Sequence, residues 1–331
     1  MRCAVLGTGF IGSLHAATVN RIDGYELVAV ADLNETAGRK AADELHCKYY
    51  ADAEEMLQRE EIDVVHICLP TFLHEKYVLL SAQYHKHVLC EKPFALSSAA
   101  AQRMKDACEQ AGVKLMVAQA ARWWPEFLEI KKLLKDGVFG NLHMVYCNRL
   151  AQHPNWSTWH RDPQKSGGSL FDLNLHNIDY LYELFGDVTS VYAVGWKSPT
   201  GCWNHVISSF TFQSGVKAVD EGSFEMIGNF PFGISLRMTG DNATIDYRFT
   251  AGFNIENLSA ATAQTVLFEK DKDPAVLPIT GMDAYEAEIR AFIDCVATNR
   301  EVPILAADSV KVIKIIEAIQ ESLETGKVVS I

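Results

Sequence analysis

The sequence has no C-x-x-C pair, no internal repeat, no low-complexity tract and no apolar run near the ~20 residues of a membrane helix. Each absence removes a class. Without a C-x-x-C pair, the cysteines carry no paired-thiol motif. The eight cysteines, Cys3, Cys47, Cys68, Cys90, Cys108, Cys147, Cys202 and Cys295, read as small buried hydrophobes in a reducing compartment. Positive charge is also short: 30 Lys and Arg against 42 Asp and Glu leave a formal net charge of −12. That balance excludes a general nucleic-acid or anionic-membrane binder, because phosphate contacts need a basic surface. A single pocket can still be locally positive. The apolar start runs directly into glycines and has no small-residue cleavage site, which predicts no signal peptide and a cytoplasmic protein. No metal is expected.

What is present begins with "RCAVLGTGFIGSLHAATVNRIDGYELVAVADLN". Arg2–Leu6 predicts a buried strand, Ser13–Arg21 a helix and Leu27–Ala31 a second strand ending at Asp32. A lone G-x-G-x-x-G is weak, but here a strand precedes it, a helix follows it, and an acid lies 20 residues past Gly12. Together they make a dinucleotide-binding fingerprint. Gly7 permits the tight turn, Gly9 lets a pyrophosphate approach the backbone, and Gly12 lets the helix lie close to the strand. Phe10 and Ile11, between Gly9 and Gly12, are expected at the cofactor, and the first N–H groups of the helix that follows suit phosphate. Asp32 can accept from ribose hydroxyls and would repel a 2′-phosphate, so NAD is favoured over NADP.

Asp63–Leu69, His87–Cys90 and Lys114–Ala118 predict further strands. Leu73–Tyr84 and Ser97–Ala111 predict helices, with Ser97 as N-cap and Gly112 as stop. Alternating strands and helices imply a doubly wound parallel sheet. The ligand then lies beyond the carboxyl ends of the strands. That rule places Leu69, Pro70, Thr71, Glu91 and Lys92 at the cofactor edge. His74 either lines that edge or serves the helix start structurally. "VLCEKPFALS" ends an apolar strand in Glu91, Lys92 and Pro93, and the proline restricts the lysine before it to extended backbone. A cis Lys92–Pro93 bond is predicted.

After "ARWWPEF" the pattern changes. Glu126–Lys135 predicts one more helix. Strands are expected at 142–149, 188–196, 206–212, 216–225, 233–238, 243–247 and 265–268. Consecutive strands without helices imply an antiparallel sheet and an α+β domain. One helix interrupts them, "GGSLFDLNLHNIDYLYELFG", with Ser169 as cap and Gly186 as stop. Asp172, His176 and Asp179 fall at i, i+4 and i+7, one helix face. In "HPNWSTWHRDP", Trp156 and Trp159 offer flat apolar faces, and His153, His160 and Arg161 offer hydrogen-bonding groups, either to a ligand or to the packing of the loop itself. Arg122 either binds substrate or bridges domains. The tail from Met282 predicts two helices joined by "NREVPILAAD", with Asp308 capping the second.

Five motifs in order carry a family resemblance: "GTGFIG" at 7–12, "EKP" at 91–93, "RWWP" at 122–125, "GGSLFDLNLHNID" at 167–179 and "ESLETGK" at 321–327. The chain resembles the Gfo/Idh/MocA oxidoreductases, the glucose–fructose oxidoreductase and inositol dehydrogenase family. The resemblance implies an α/β chain, with an N-terminal Rossmann doubly wound parallel sheet and a C-terminal α+β domain with a large open antiparallel sheet. The expected division is 1–121 for dinucleotide binding, 122–300 for substrate binding and oligomerisation, and 301–331 as a helical segment packing back toward the Rossmann domain. A homodimer or homotetramer through the C-terminal sheet follows, as does NAD(P)-dependent redox chemistry on a carbohydrate or polyol.

The family's lysine of E-K-P, with the aspartate and histidine of D-x-x-x-H, surrounds the reacting carbon. These match Lys92, Asp172 and His176, which are expected to contact substrate together with Arg122, His153, Trp156 and Trp159. The family helix commonly carries glycine two places after its aspartate; this chain has Asn174, facing away from Asp172 and His176. A histidine titrates near neutral pH without adjustment, so His176 is the expected base. Asp172 would tune it, and Lys92 would hold the reacting oxygen or share the proton. The competing readings are a redox-neutral NAD-using enzyme acting on glycosides or keto-sugars, and a non-catalytic NAD-binding regulator.

Overall fold

The computed structural model describes residues 1–154, 158–251 and 260–331. These fold as two compact units, Met1–Trp123 with Met282–Ile313, and Trp124–Gly281 with Lys314–Ile331. The chain therefore leaves the first unit after Trp123, returns at Met282 and leaves again after Ile313.

The first unit alternates strands and helices: β1 (Arg2–Leu6), α1 (Phe10–Val19), β2 (Glu26–Ala31), α2 (Glu35–Leu45), β3 (Lys48–Tyr50), α3 (Ala53–Arg59), β4 (Val64–Ile67), α4 (His74–Gln83), β5 (His87–Glu91), α5 (Ser98–Gln110) and β6 (Leu115–Ala118). The six strands run parallel in the order β3-β2-β1-β4-β5-β6. All four residues of β4 and of β6 are buried without alternation, as expected of strands covered on both faces. Side chains cap the helices where the sequence allows: Asn34 accepts from Ala37 N–H, Asp52 from Glu55 N–H, and Ser97 from Ala100 N–H as expected.

The second unit opens with α6 (Pro125–Lys135) and β7 (Leu142–Leu150). A π-helical turn over Leu170–Asn174 then runs into α7 (Leu175–Phe185). Six strands follow: β8 (Val188–Lys197), β9 (Trp203–Phe212), β10 (Lys217–Ser223), β11 (Gly233–Gly240), β12 (Ala243–Thr250) and β13 (Thr262–Glu269), with the short β14 (Ala275–Val276). The two tail helices are α8 (Ala284–Ala297) and α9 (Ala306–Thr325), and β15 (Val329–Ser330) ends the chain. The nine-stranded sheet has the order β14-β13-β12-β11-β7-β10-β9-β8-β15. In β9 buried residues alternate with more exposed ones, so one face packs inward and the other faces out. α8 returns to the first unit, where Ile289, Phe292 and Ile293 join Val5, Val30, Val64, Leu89 and Met116 in one core. No helix among the described residues is long and apolar enough to cross a membrane.

Four expectations need correction. The second sheet is not wholly antiparallel, because β7 and β10 pair in parallel. The two strands are far apart in sequence, and the expectation of antiparallel pairing holds for strands that follow one another directly. α1 begins at Phe10 rather than Ser13, directly on the glycine loop. Ser169 is not an N-cap: it has helical dihedrals and makes no cap bond, because the π turn begins around it. α9 begins at Ala306, so Asp308 lies inside its first turn, where a carboxylate still suits the helix dipole. The sequence reading also passed over β3 and α3, the first only three residues long.

Candidate active site

The carboxyl ends of β1, β4 and β5 converge where the strand order reverses between β1 and β4. Gly7 follows β1 with φ +89°, and its N–H donates to Ala31 O at 2.8 Å. A Cβ on Gly7 would collide with the Cys68 carbonyl oxygen, and one on Gly12 with the Gly7 carbonyl oxygen. These two glycines are thus needed by packing alone. Gly9 differs: no atom lies within 4 Å of where its Cβ would stand. It faces open space as N-cap of α1, with no side chain capping the helix. The uncapped first turn, with Phe10 67% exposed on it, can take an anionic group. This open cradle fits a dinucleotide pyrophosphate.

Asp32 closes the other side. Its Oδ2 accepts from Thr8 N–H at 2.7 Å and Thr8 Oγ1 at 2.8 Å, and its Oδ1 accepts from Asn34 N–H at 2.8 Å. A carboxylate offers about four lone-pair sites, so about one remains for a ribose hydroxyl. The nearby Arg39 pairs with Glu35 at 2.8 Å and lies over the Tyr49 ring at 5.1 Å.

At β5, Glu91 is buried and Lys92 half-buried, with the Lys92–Pro93 bond cis as predicted. Glu91 Oε2 accepts from Lys92 N–H at 3.1 Å, and Glu91 Oε1 lies 2.9 Å from His15 Nε2. The Nδ1 atoms of His15 and His66 are 3.1 Å apart, and His66 Nε2 has no partner among the described residues. One proton arrangement satisfies these distances without a buried orphan donor: His66 Nδ1–H donates to His15 Nδ1, and His15 Nε2–H donates to Glu91. Burial and the neighbouring His15 hold His66 well below the usual histidine range, in agreement with a neutral ring. The backbone before Lys92 is therefore tied to α1 and β4 through side chains.

Leu69 and Pro70 are half-buried after β4, and Thr71 is buried where a 3₁₀ turn leads into α4. His74 is fully buried, with Nδ1 2.8 Å from Pro93 O and Nε2 2.7 Å from Leu69 O. Burial lowers its pKa against the pull of those carbonyls. It joins two strand ends. Arg122 is buried in the turn Ala120–Trp123 after β6.

In the second unit, Asp172 and His176 are half-buried and Asp179 is fully buried. Asp172 sits within the π turn and His176 in the first turn of α7. A π turn winds more residues per turn than an α-helix, so residues four apart across it fall closer to one line; such turns recur at functional sites. His153 is half-buried beside the Phe224 ring at 5.4 Å, and burial lowers its pKa. Its Nε2 is buried and has no partner among the described residues. Trp159 stacks on His160 at 3.9 Å. Trp156 lies outside the described residues.

Residues 1–119 match the model of an oxidoreductase family with an NAD-binding Rossmann fold, and residues 127–246 match the GFO/IDH/MocA C-terminal domain. The chain belongs to the Gfo/Idh/MocA oxidoreductase family.

Among relatives, a D-apiose dehydrogenase of Paraburkholderia graminis is 28% identical over 99% of this chain and 89% of its own. A D-xylose 1-dehydrogenase (NADP(+)) of Haloferax volcanii is 29% identical over 100% of both. The solved aldose–aldose oxidoreductase of Caulobacter crescentus, complexed with glycerol, shares the fold with a TM-score of 0.88 at 20% identity, covering 100% of this chain and 99% of that one.

Within this Gfo/Idh/MocA chain, Asn174 was read only as a departure from the family helix, and sequence reasoning missed Thr8, His15 and His66 near the glycine loop and Asp220 and Gly222 opposite Asn174. A signal for the last group was present. β10 points Ala218, Asp220 and Gly222 inward, and an acid at an inward position needs a partner.

Proposed function

We propose that the protein is an NAD-dependent oxidoreductase that moves a hydride between nicotinamide and a hydroxyl or keto carbon of a sugar, polyol or sugar derivative. One observation carries the reading: Lys92, Asp172 and His176 are all retained, with Lys92 at the same strand edge as the open Gly9 cradle. The names of the dehydrogenase relatives support the substrate class.

Gly7–Gly12 and the α1 N-terminus would hold the pyrophosphate, with Asp32 on the ribose; Leu69–Thr71 and Glu91 would line the edge. Bound NAD supplies the hydride acceptor. The hydroxyl proton must go to the protein. His176 takes it, since an imidazole titrates near the working pH. Asp172 orients that ring and favours its protonated form. Lys92 donates a hydrogen bond to the reacting oxygen. Arg122, His153, Trp156 and Trp159 are the proposed substrate contacts. Asp32, together with an Arg39 already paired to Glu35, supports NAD over NADP.

We also assign the outer face of the second sheet to a homodimer or homotetramer contact. Met144, Tyr192, Val194, Trp196 and Ile207 leave large apolar side chains exposed on β7, β8 and β9. Light scattering would find a mass of two or four chains, and a Trp196→Glu, Ile207→Glu variant would run as a monomer.

The deciding assay mixes pure protein with polyols, aldoses and 3-keto sugars, plus NAD or NADP, and follows absorbance at 340 nm. Net NADH formation with one of them is expected. Product without net NADH would replace the reading by the redox-neutral cycle, and neither product nor NADH by the regulator.

A further inference from the structure

Asp220 on β10 is a fully buried carboxylate that the proposed chemistry does not use. Its Oδ2 accepts from Asn174 Nδ2 at 2.7 Å and its Oδ1 from Asn177 Nδ2 at 2.6 Å. The Cys147 thiol lies 3.5 Å from Oδ1 as a weak third donor. Asn177 Oδ1 in turn accepts from Arg149 Nε at 3.0 Å. Asn174 closes the π turn and Asn177 lies in the first turn of α7. The two amides therefore straddle Leu175 and His176. Two bonds from one carboxylate to positions three apart on a helix face fix both its height and its roll.

Gly222, two residues along the same strand face, supplies the room. A Cβ there would land on the Asn174 amide, on its oxygen, carbon and nitrogen alike. Asn174 Oδ1 is buried with no hydrogen-bond partner among the described residues. An unpaired buried oxygen is unfavourable, so packing alone does not account for an asparagine at this place. The bond from its Nδ2 to Asp220 does. Where the family helix commonly has its glycine, this chain has the amide, and the glycine stands on the strand opposite.

We propose that Asp220 is a positioning residue for Asp172 and His176: it sets the register of their helix turn through Asn174 and Asn177, with Gly222 admitting Asn174. The inference rests on the reading that these two residues act on the substrate hydroxyl. Misplacement of a reacting group by about 1 Å costs on the order of 100-fold in rate, which sets the size of the effect.

The test uses the full chain and three variants: Asp220→Asn, Gly222→Ala and the Asn174→Gly, Gly222→Ala pair, with Asn174→Gly as reference. Asp220→Asn keeps the shape but sets an amide donor against an amide donor. With the best substrate of the panel above, kcat per folded molecule should fall about 10- to 100-fold, while KM changes little and NADH affinity is unchanged. In histidine-labelled protein, the NMR titration curve of His176, assigned with His176→Ala, should shift in Asp220→Asn. Gly222→Ala should cost activity beside Asn174 and nothing further beside glycine at 174, a coupling that a double-mutant cycle reads.

A lower melting temperature with kcat and the His176 titration both unchanged would reduce Asp220 to a structural group. Equal harm from Gly222→Ala in both backgrounds would remove the link to Asn174. If His176→Ala itself keeps full turnover, the catalytic reading fails, while the titration and the cycle still decide the positioning claim.

Discussion

At the glycine loop the decisive atoms belong to the main chain: the turn at Gly7, the open face above Gly9 and the first N–H groups of α1. At the π turn and the start of α7 they belong to side chains: Asn174 and Asn177, buried and each donating to Asp220 on β10. The difference teaches how each unit can be damaged. A site built from backbone is encoded by missing side chains, so it is broken by adding atoms. A site held by a buried carboxylate is broken by removing charge or by closing the space beside it.

The largest effect should come from Lys92→Met, which takes away the polar group while sparing the glycine loop. kcat should fall about 10²- to 10⁴-fold, with NADH binding kept by fluorescence titration. Turnover near wild type would take Lys92 out of the chemistry and leave the first unit with a binding role only.

Next is the pH dependence of the second unit. Burial raises the Asp220 carboxyl from 3.8 to about 6, against the hydrogen bonds of Asn177, Asn174 and Cys147 and the charge of Arg149. The native state therefore keeps this proton in a range where the unfolded chain has lost it. The native state binds more protons between those values, so this group's contribution to stability falls as pH rises from about 4 to about 6 and is flat above. Denaturant melts of wild type and Asp220→Asn should differ by a term that changes by on the order of 3 kcal/mol across that window. A constant difference would mean that the carboxyl titrates normally.

Gly12→Ala tests the opposite unit. Its methyl meets the Gly7 carbonyl, and main chain cannot yield as a side-chain tip can. Overpacking of about 1–3 kcal/mol should weaken NADH binding roughly 5- to 100-fold. Unchanged affinity would show that the loop is softer than its contacts imply. The smallest effect is Ser97→Ala, which deletes the α5 cap bond to Ala100. Its cost is about 1 kcal/mol, read as a melting shift of a few degrees with kcat untouched; a fall in kcat would extend the cofactor edge to α5.

The same contrast explains what could be read in the sequence. Gly7, Gly9, Gly12 and Asp32 act through local backbone needs at fixed spacing, so motif and structure agree. The strand end at Glu91 and the turn at Lys92–Pro93 were legible as an apolar run that stops in charge and proline, while the role proposed for Lys92 came with the family's E-K-P motif. Asp172 and His176 share a helix face by spacing, but their proposed roles came with the family's D-x-x-x-H motif; the π turn stayed hidden, since the same residues also suit an α-helix. Asn174 looked like a departure from pattern. Its reason lies across the fold at Gly222 and Asp220, and no local window contains that complementarity. The parallel β7–β10 pairing was hidden likewise, by a partner many residues away.

The fit of Asn174 against Gly222 also bears on descent. Any side chain placed at 222 first strikes the amide, and glycine placed at 174 first leaves Asp220 short of a donor. Either single step loses something before the second can restore it. The two positions should thus vary together, with asparagine at 174 found only beside glycine at 222, and that pairing would mark chains that fasten this helix from the strand side.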